Sequence, residues 1–98
     1  MHYLIYAEDA PDSLEKRRSV RAAHLERLER LKSEGRLIVA GPFLEDDETD
    51  STVSGVKGSL IIAEFDNLPD AKAWAAADPY ATAHVYANIT VKPFKKVL

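Results

Sequence analysis

The sequence predicts an α+β domain in which two helices cover one face of a four-stranded antiparallel sheet. Three observations predict this fold. Four segments are rich in β-branched and aromatic residues and have the composition of strands. A long segment with apolar residues at helical spacing follows the first of them, and a shorter helical segment separates the last two. The elements therefore follow in the order β-α-β-β-α-β, the ferredoxin-like arrangement.

The element boundaries follow from capping and turn residues. The first strand is predicted over 2–8, and the first helix over about 13–34, with Asp12 or Ser13 as its N-cap and Gly35 as its stop signal. The other boundaries are a strand over 36–44, an exposed polar loop over 45–56, a strand over 58–65, a helix from its cap Asn67 to about Ala77, a further turn over 79–83 and a strand over 85–94.

Length and composition narrow the class of protein. The 98 residues are enough for one domain and too few for two, so we treat 1–98 as a single domain. A net charge of −3 argues against a nucleic-acid partner, and the absence of cysteine excludes disulfides and thiolate chemistry. No apolar stretch is long enough to span a membrane and the N-terminus lacks the pattern of a signal peptide, so we expect a cytoplasmic protein.

The predicted strands are apolar on both faces. Strict alternation divides the side chains of each strand between the two faces of the sheet. In the first strand Tyr3, Ile5 and Ala7 lie on one face and Leu4 and Tyr6 on the other. In the second strand Leu37, Val39 and Phe43 lie opposite Ile38, Ala40 and Leu44, and in the third Leu60 and Ile62 lie opposite Ile61, Ala63 and Phe65. Two helices on one side of the sheet can cover only one of these faces. We therefore expect a second copy of the chain to cover the other face, in a face-to-face homodimer.

Three polar residues interrupt the apolar arc of the first helix. Arg17, Arg21 and His24 form one stripe inside an arc that otherwise consists of Leu14, Val20, Leu25, Leu28 and Leu31. Burying such a stripe is costly unless it faces something polar. His24 is either a core histidine bonded to a backbone carbonyl or part of a site. The two arginines either extend their charged ends into water or bind the carboxylate of an anionic small molecule in a pocket.

Asp78 allows two interpretations as well. An Asp before Pro79 is a good N-cap for a short helical turn. As a cap alone, it would tolerate Asn at little cost. Alternatively, its carboxylate orients His24 and leaves the other ring nitrogen as a base. Tyr80 either donates a proton in the same pocket or is simply buried. No spacing typical of metal ligands is present, so we expect no metal site.

Several segments together closely resemble the bacterial YciI-like (YCII-related) proteins. They are YAED, SLEKRRSVRAAHLERL, EGRLIVAGP, KGSLIIAEF, WAAADPY and VKPFKK. The resemblance covers nearly the whole chain. It implies a ferredoxin-like domain paired into a dimeric α/β barrel, with a His and Asp pair that falls on His24 and Asp78. It also implies cofactor-independent proton transfer of the isomerase or lyase type on a small anionic molecule, such as one derived from an aromatic compound.

The resemblance leaves alternatives open. A non-enzymatic ligand-binding or regulatory domain could use the same pocket, and a haem-handling protein is a third reading of a dimeric barrel with a buried His. Similar sequences tend to have Gly where this chain has His84, which changes substrate preference if that side chain points into the pocket. The expected site is thus His24 and Asp78 as catalytic residues, with Arg17, Arg21 and Tyr80 binding a substrate, and no cofactor.

Overall fold

A computed structural model describes residues 1–47 and 55–98 of the chain. The elements are β1 His2–Asp9, α1 Leu14–Ser33, β2 Leu37–Leu44, β3 Val56–Glu64, α2 Leu68–Ala76, α3 Pro79–Thr82 and β4 Tyr86–Phe94. The predicted element order is confirmed, and α3 is the further turn predicted after the second helix. Of the predicted loop over 45–56, residues 45–47 are exposed, Val56 already begins β3, and 48–54 lie outside the described residues.

The sheet has the strand order β2-β3-β1-β4, and every neighbouring pair is antiparallel. This order confirms the ferredoxin-like fold. β1 and β3 are the central strands, and their inward side chains Tyr3, Ile5, Ile61 and Ala63 form the core. Phe65, Leu31 of α1 and two small residues of α2 complete it, so both helices pack on the same face of the sheet. Small residues on α2 allow the helix to approach the sheet closely.

A β-bulge in β2 changes which side chains face the core. Leu37 pairs with Ala63 and Val39 with the next residue, Ile62, so Ile38 is an extra residue of β2 with no partner in the pairing with β3. Leu37 and Ala40 both pack against the core, whereas Val39 lies on the other face and is 47% exposed. The prediction that Leu37 shares a face with Val39 is therefore wrong, because strict alternation does not hold across a bulge.

The second face of the sheet carries a continuous set of apolar side chains. Leu4 pairs with Ile62, and Tyr6 pairs with Leu60, on the face opposite the helices. Tyr6 is 38% exposed, and its ring contacts Phe43 at 5.1 Å between centroids. The two-sided apolar pattern expected from the sequence is therefore present in β1 and β3.

Candidate active site

His24 and Asp78 form a buried pair between α1 and α3. They are 54 residues apart in the sequence, yet His24 Nδ1 lies 2.8 Å from Oδ1 of Asp78 and 2.9 Å from Oδ2. Both distances are those of charge-assisted hydrogen bonds. His24 faces inward from the middle of α1, and Asp78 lies in the connection between α2 and α3. The structure thus brings together the two residues that the sequence singles out for proton transfer.

Asp78 is also the N-cap of α3. Its backbone is extended, Pro79 occupies the first turn of the helix, and Oδ1 accepts a hydrogen bond of 2.8 Å from the backbone N–H of Tyr80. The side chain is only 2% exposed. The two interpretations of Asp78 are therefore not exclusive, because one carboxylate caps the helix and binds the imidazole.

The contact with Asp78 determines which nitrogen of His24 is available. A carboxylate accepts a hydrogen bond from Nδ1–H, so in the neutral ring Nε2 has the free lone pair. The ring of Tyr80 stacks on the imidazole with 3.9 Å between centroids and an interplanar angle of 13°. The hydrogen bonds and the stacking together fix the orientation of the imidazole.

A cavity of about 210 Å³ lies beside the imidazole. His24, Arg17, Arg21, Ser59 and Tyr80 provide its polar lining. The rest of the lining is mostly apolar and comes from α1, β2 and β3: Leu25, Leu28, Ala40, Gly41, Pro42, Val56, Leu60 and Ile61. A small cavity that combines apolar walls with several convergent polar groups is typical of a small-molecule site.

Arg17 is held by the protein itself. Its Nε donates a hydrogen bond of 2.7 Å to Oδ2 of Asp9. Its Nη2 donates to Oγ of Ser59 at 2.8 Å and to the carbonyl of Gly58 at 3.0 Å. The guanidinium also lies 4.6 Å from the centre of the Tyr80 ring. These contacts tie α1 to the end of β1 and to β3, so Arg17 stabilises the wall of the cavity.

Arg21 differs from Arg17 although both line the cavity. Its side chain is exposed and makes no hydrogen bond or ion pair with any residue in the described parts of the chain. An exposed arginine that lines a cavity and has no partner in the described parts of the chain is suited to bind a carboxylate or another anionic oxygen.

Tyr80 is almost fully buried beside the imidazole. Burial raises the pKa of its hydroxyl, and the nearby positive charges of Arg17 and Arg21 partly oppose this shift. The hydroxyl is therefore protonated at neutral pH and is available as a hydrogen-bond donor.

Two polar residues of the site were missed from the sequence. Arg27 on α1 places Nη1 3.6 Å from Oδ2 of Asp78 and donates a hydrogen bond of 2.9 Å from Nη2 to the carbonyl of Trp74. Extending the stripe of Arg17, Arg21 and His24 by three residues would have found Arg27. Ser59 could have been recognised as a polar residue at an inward position of β3, because Ile61 and Ala63 share its face.

Other residues considered from the sequence lie elsewhere. His84 is exposed and is not among the residues that line the cavity, so its side chain does not shape this site. Within 1–47 and 55–98 no group of three or more His, Asp and Glu side chains is placed to hold a metal ion. No helix in the same ranges has both the length and the apolar character that a membrane span requires.

Comparison with known proteins shows the family. Residues 1–95 match the YCII-related domain, and the chain belongs to this family. It is 58% identical over 97 residues to Protein YciI of Escherichia coli O6:H1, a match that covers 99% of each chain. An uncharacterized protein of Haemophilus influenzae is 53% identical over 97 residues, again with 99% of each chain covered. The family resemblance seen in the sequence is therefore confirmed.

A solved structure of an enzyme has a similar fold. It is the 5-chloro-2-hydroxyhydroquinone dehydrochlorinase TftG from Burkholderia phenoliruptrix AC1100, in complex with 2,5-dihydroxybenzoquinone. The TM-score is 0.85 and the sequence identity 34%, and the match covers 97% of this chain and 94% of that chain. At least one protein with this fold and substantial sequence similarity is thus a small enzyme.

Proposed function

We propose that this chain is a small enzyme that catalyses proton transfer on an anionic, ring-derived molecule, with His24 as general acid/base. The observation that carries the proposal is the pair of contacts from Asp78 to Nδ1 of His24, at 2.8 and 2.9 Å. They leave Nε2 as the proton acceptor of an imidazole that lines the cavity.

The roles of the other polar groups follow from their contacts. When Nε2 takes a proton from the substrate, the carboxylate of Asp78 stabilises the imidazolium that forms. Arg21 makes no hydrogen bond or ion pair within the described residues, and it binds the anionic oxygen of the substrate. Tyr80 stacks against the imidazole and donates a hydrogen bond to charge that develops on the substrate.

The similarity to TftG favours a lyase reaction. Dehydrochlorination removes a proton and a chloride ion from the substrate, so it requires a base but no redox step. An isomerisation would use the same base and return the proton to a different atom. The cavity of about 210 Å³ is at the small end for ligand sites, which favours a molecule with a single substituted ring.

We also propose that the chain forms a homodimer through the second face of the sheet. Leu4, Tyr6, Val39, Leu60 and Ile62 lie on this face, opposite both long helices. Another copy of the chain presents the same apolar, twisted face and would cover it in a two-fold arrangement. Covering an apolar face of this kind is favourable because it removes the exposed Tyr6 and Val39 from water.

Turnover by the purified chain tests the proposed chemistry. The substrates are small hydroxylated ring compounds and lactones, including 5-chloro-2-hydroxyhydroquinone, and release of chloride and protons is followed together with the ultraviolet spectrum. His24→Gln should lower kcat by about 100-fold or more, because it removes the general base. His84→Gln is the matched control, since His84 is exposed and outside the cavity.

Two results would change the proposal. Equal turnover by the starting chain and by His24→Gln would exclude His24 as the base. Binding of 2,5-dihydroxybenzoquinone to the cavity without turnover of any compound would favour the alternative, a ligand-binding or regulatory domain.

A further inference from the structure

We infer that Arg27 is a positioning residue that acts through Asp78. In this inference, which rests on the proposed function of the His24 and Asp78 pair, Arg27 supplies the positive charge that keeps Asp78 ionised while His24 is neutral. His24 then has a free lone pair on Nε2 at neutral pH, as a general base requires.

The surroundings of Asp78 show why it needs a cationic neighbour while His24 is neutral. Oδ1 accepts hydrogen bonds from the backbone N–H of Tyr80 and from His24, and Oδ2 faces His24 and Arg27. The carboxylate is almost completely buried. Hydrogen bonds stabilise the ionised form of a buried carboxylate in part, and a nearby positive charge stabilises it further. A neutral imidazole donates a hydrogen bond but supplies no charge, which leaves Arg27 as the compensating group.

Arg27 is held where it can fill this role. Its guanidinium lies 4.2 Å from the centre of the Trp74 ring, and Nη2 donates to the carbonyl of the same residue. Nη1 is buried without a hydrogen-bond partner among the described residues, and Oδ2 of Asp78 lies 3.6 Å from it. A buried donor without a hydrogen-bond partner lowers the stability of the fold, so another interaction has to account for the position of Nη1. At 3.6 Å the contact is longer than a hydrogen bond, so its effect is mainly electrostatic.

Removal of Arg27 should favour the protonated form of His24 in the pair of His24 and Asp78. Without the guanidinium, a proton on His24 becomes the nearest source of positive charge for Asp78. The imidazole then takes up its proton at a higher pH, and less of it is available as a base. Among the described residues, Arg17 and Arg21 of α1 line the same cavity as the ring and Tyr80 of α3 stacks on it, and all three remain in the variant.

NMR titration of His24 in the free protein tests the inference without a substrate. The pH at which the ring takes up its proton should rise by about one unit in Arg27→Gln. Arg27→Lys keeps the charge, so in this variant the pH at which the ring takes up its proton should rise by no more than about half a unit. Lys32→Gln is the matched control, because it removes one positive charge from an exposed position of the same helix. The control should shift the titration by no more than about 0.2 unit, since an exposed charge is screened.

The outcomes separate this inference from the proposed function. If the titration curves of Arg27→Gln and the starting chain coincide, the role of Arg27 is excluded, whatever the turnover assay shows. If the chain has no turnover but Arg27→Gln shifts the titration, the inference about Arg27 stands and the proposed function fails. If Arg27→Gln does not fold, Arg27→Lys decides, since a shift as large as one unit in that charge-conserving variant would contradict an electrostatic role.

Discussion

Asp78 uses one carboxylate oxygen, Oδ1, both to bind His24 and to cap α3. The distances to His24 Nδ1 and to the backbone N–H of Tyr80 are both 2.8 Å. The start of α3 and the orientation of the imidazole therefore depend on the same atom. Tyr80, which α3 positions, in turn stacks on the imidazole. The geometry of the site therefore depends on the cap that begins α3.

This shared atom changes what Asp78→Asn should do. As a cap alone, Asn at position 78 would cost little, because Asn caps helices about as well as Asp. The structure adds Arg27 beside the carboxylate, and neutralising Asp78 would leave that guanidinium buried without its counter-ion. We expect a loss of about 2–3 kcal/mol in the free energy of unfolding, measured by urea denaturation.

The other helix cap provides a control for this measurement. Asn67 caps α2 by accepting a 2.8 Å hydrogen bond from the backbone N–H of Asp70, at an exposed position. Asn67→Asp exchanges the same two side-chain types and should change stability by less than about 0.5 kcal/mol. Equal effects of Asp78→Asn and Asn67→Asp would mean that Asp78 acts only as a cap.

Arg21→Met should weaken ligand binding without affecting the fold. Arg21 is exposed and has no partner among the described residues, so the free energy of unfolding should change by less than about 0.5 kcal/mol. Loss of a charged hydrogen bond to an anionic ligand should raise Kd by about 10-fold or more. Calorimetric titration with 2,5-dihydroxybenzoquinone measures the effect.

Arg17→Met should show the opposite behaviour. It leaves Asp9, whose side chain is only 4% exposed, without its ion-pair partner, and it removes the hydrogen bonds to Ser59 and Gly58. Stability should fall by about 3 kcal/mol. If Arg17→Met is as stable as the starting chain while Arg21→Met is not, the two arginines have been assigned the wrong roles.

Val39→Lys should separate the proposed homodimer into monomers. Val39 lies on the sheet face opposite the helices and is 47% exposed, so a lysine there fits in a monomer but places a charge inside the proposed interface. Light scattering at micromolar concentration measures the mass. Ala73→Lys, at an exposed position of α2, is the control and should not change it. A starting chain that is monomeric in this measurement would contradict the proposal.

The sequence predicted the parts of the site that depend on helical periodicity. The pairing of His24 with Asp78 was expected from the position of His24 on the inward stripe of α1 together with the family resemblance, and the structure brings the two residues into contact. The bulge at Ile38 was not predicted, because a single extra residue in a strand leaves no periodic signal. It decides which residues of β2 face the core.

The hydrogen-bond partners of the arginines could not be predicted from the helical periodicity of α1 either. The stripe on α1 shows that Arg17 faces inward, but not that Asp9, at the end of β1, lies within 2.7 Å of it. That contact depends on how the end of β1 meets the start of α1 in three dimensions. Distinguishing an arginine with an internal partner from one available to a ligand therefore required the structure.

Tyr86→Phe should leave the free energy of unfolding unchanged or raise it at neutral pH, and it should reduce the decrease of this free energy at alkaline pH. The Tyr86 hydroxyl is buried and makes no hydrogen bond of good geometry within the described residues, although the side chain of Ser59 lies near enough to oppose the rise in its pKa. Removing the hydroxyl should therefore add up to about 1 kcal/mol at pH 7. Burial also raises the pKa of Tyr86 well above its usual value of 10. The native state then keeps this proton at a pH where the unfolded state loses it, so the free energy of unfolding falls as pH rises above about 10.

Chemical denaturation at pH 7 and at pH 10.5–11 compares the two proteins over this window. The decline should be smaller in Tyr86→Phe, because one of the two tyrosines with a raised pKa has been removed and Tyr80 remains. The same decline in Tyr86→Phe and in the starting chain would show that this hydroxyl is not responsible.

Replacing His84, at the end of α3, with Gly should stabilise the fold. The backbone N–H of His84 bonds to the carbonyl of Ala81 at 3.1 Å, and that of Val85 bonds to the carbonyl of Tyr80 at 2.9 Å. This pair of hydrogen bonds is the Schellman motif, which places the residue after the C-cap in the left-handed region. His84 has φ 62°, a conformation that costs a residue with a side chain roughly 1–2 kcal/mol.

His84→Gly should therefore raise the free energy of unfolding, since Gly adopts this conformation without steric cost. The greater freedom of Gly in the unfolded chain offsets part of the gain, so we expect a net increase of about 0.5–1 kcal/mol. His84→Ala is the control, because it removes the same imidazole but keeps a Cβ at a positive φ, and it should show no gain. Thermal and urea unfolding of the three proteins measure the difference. If His84→Ala stabilises as much as His84→Gly, the imidazole rather than the backbone conformation is the source of the cost.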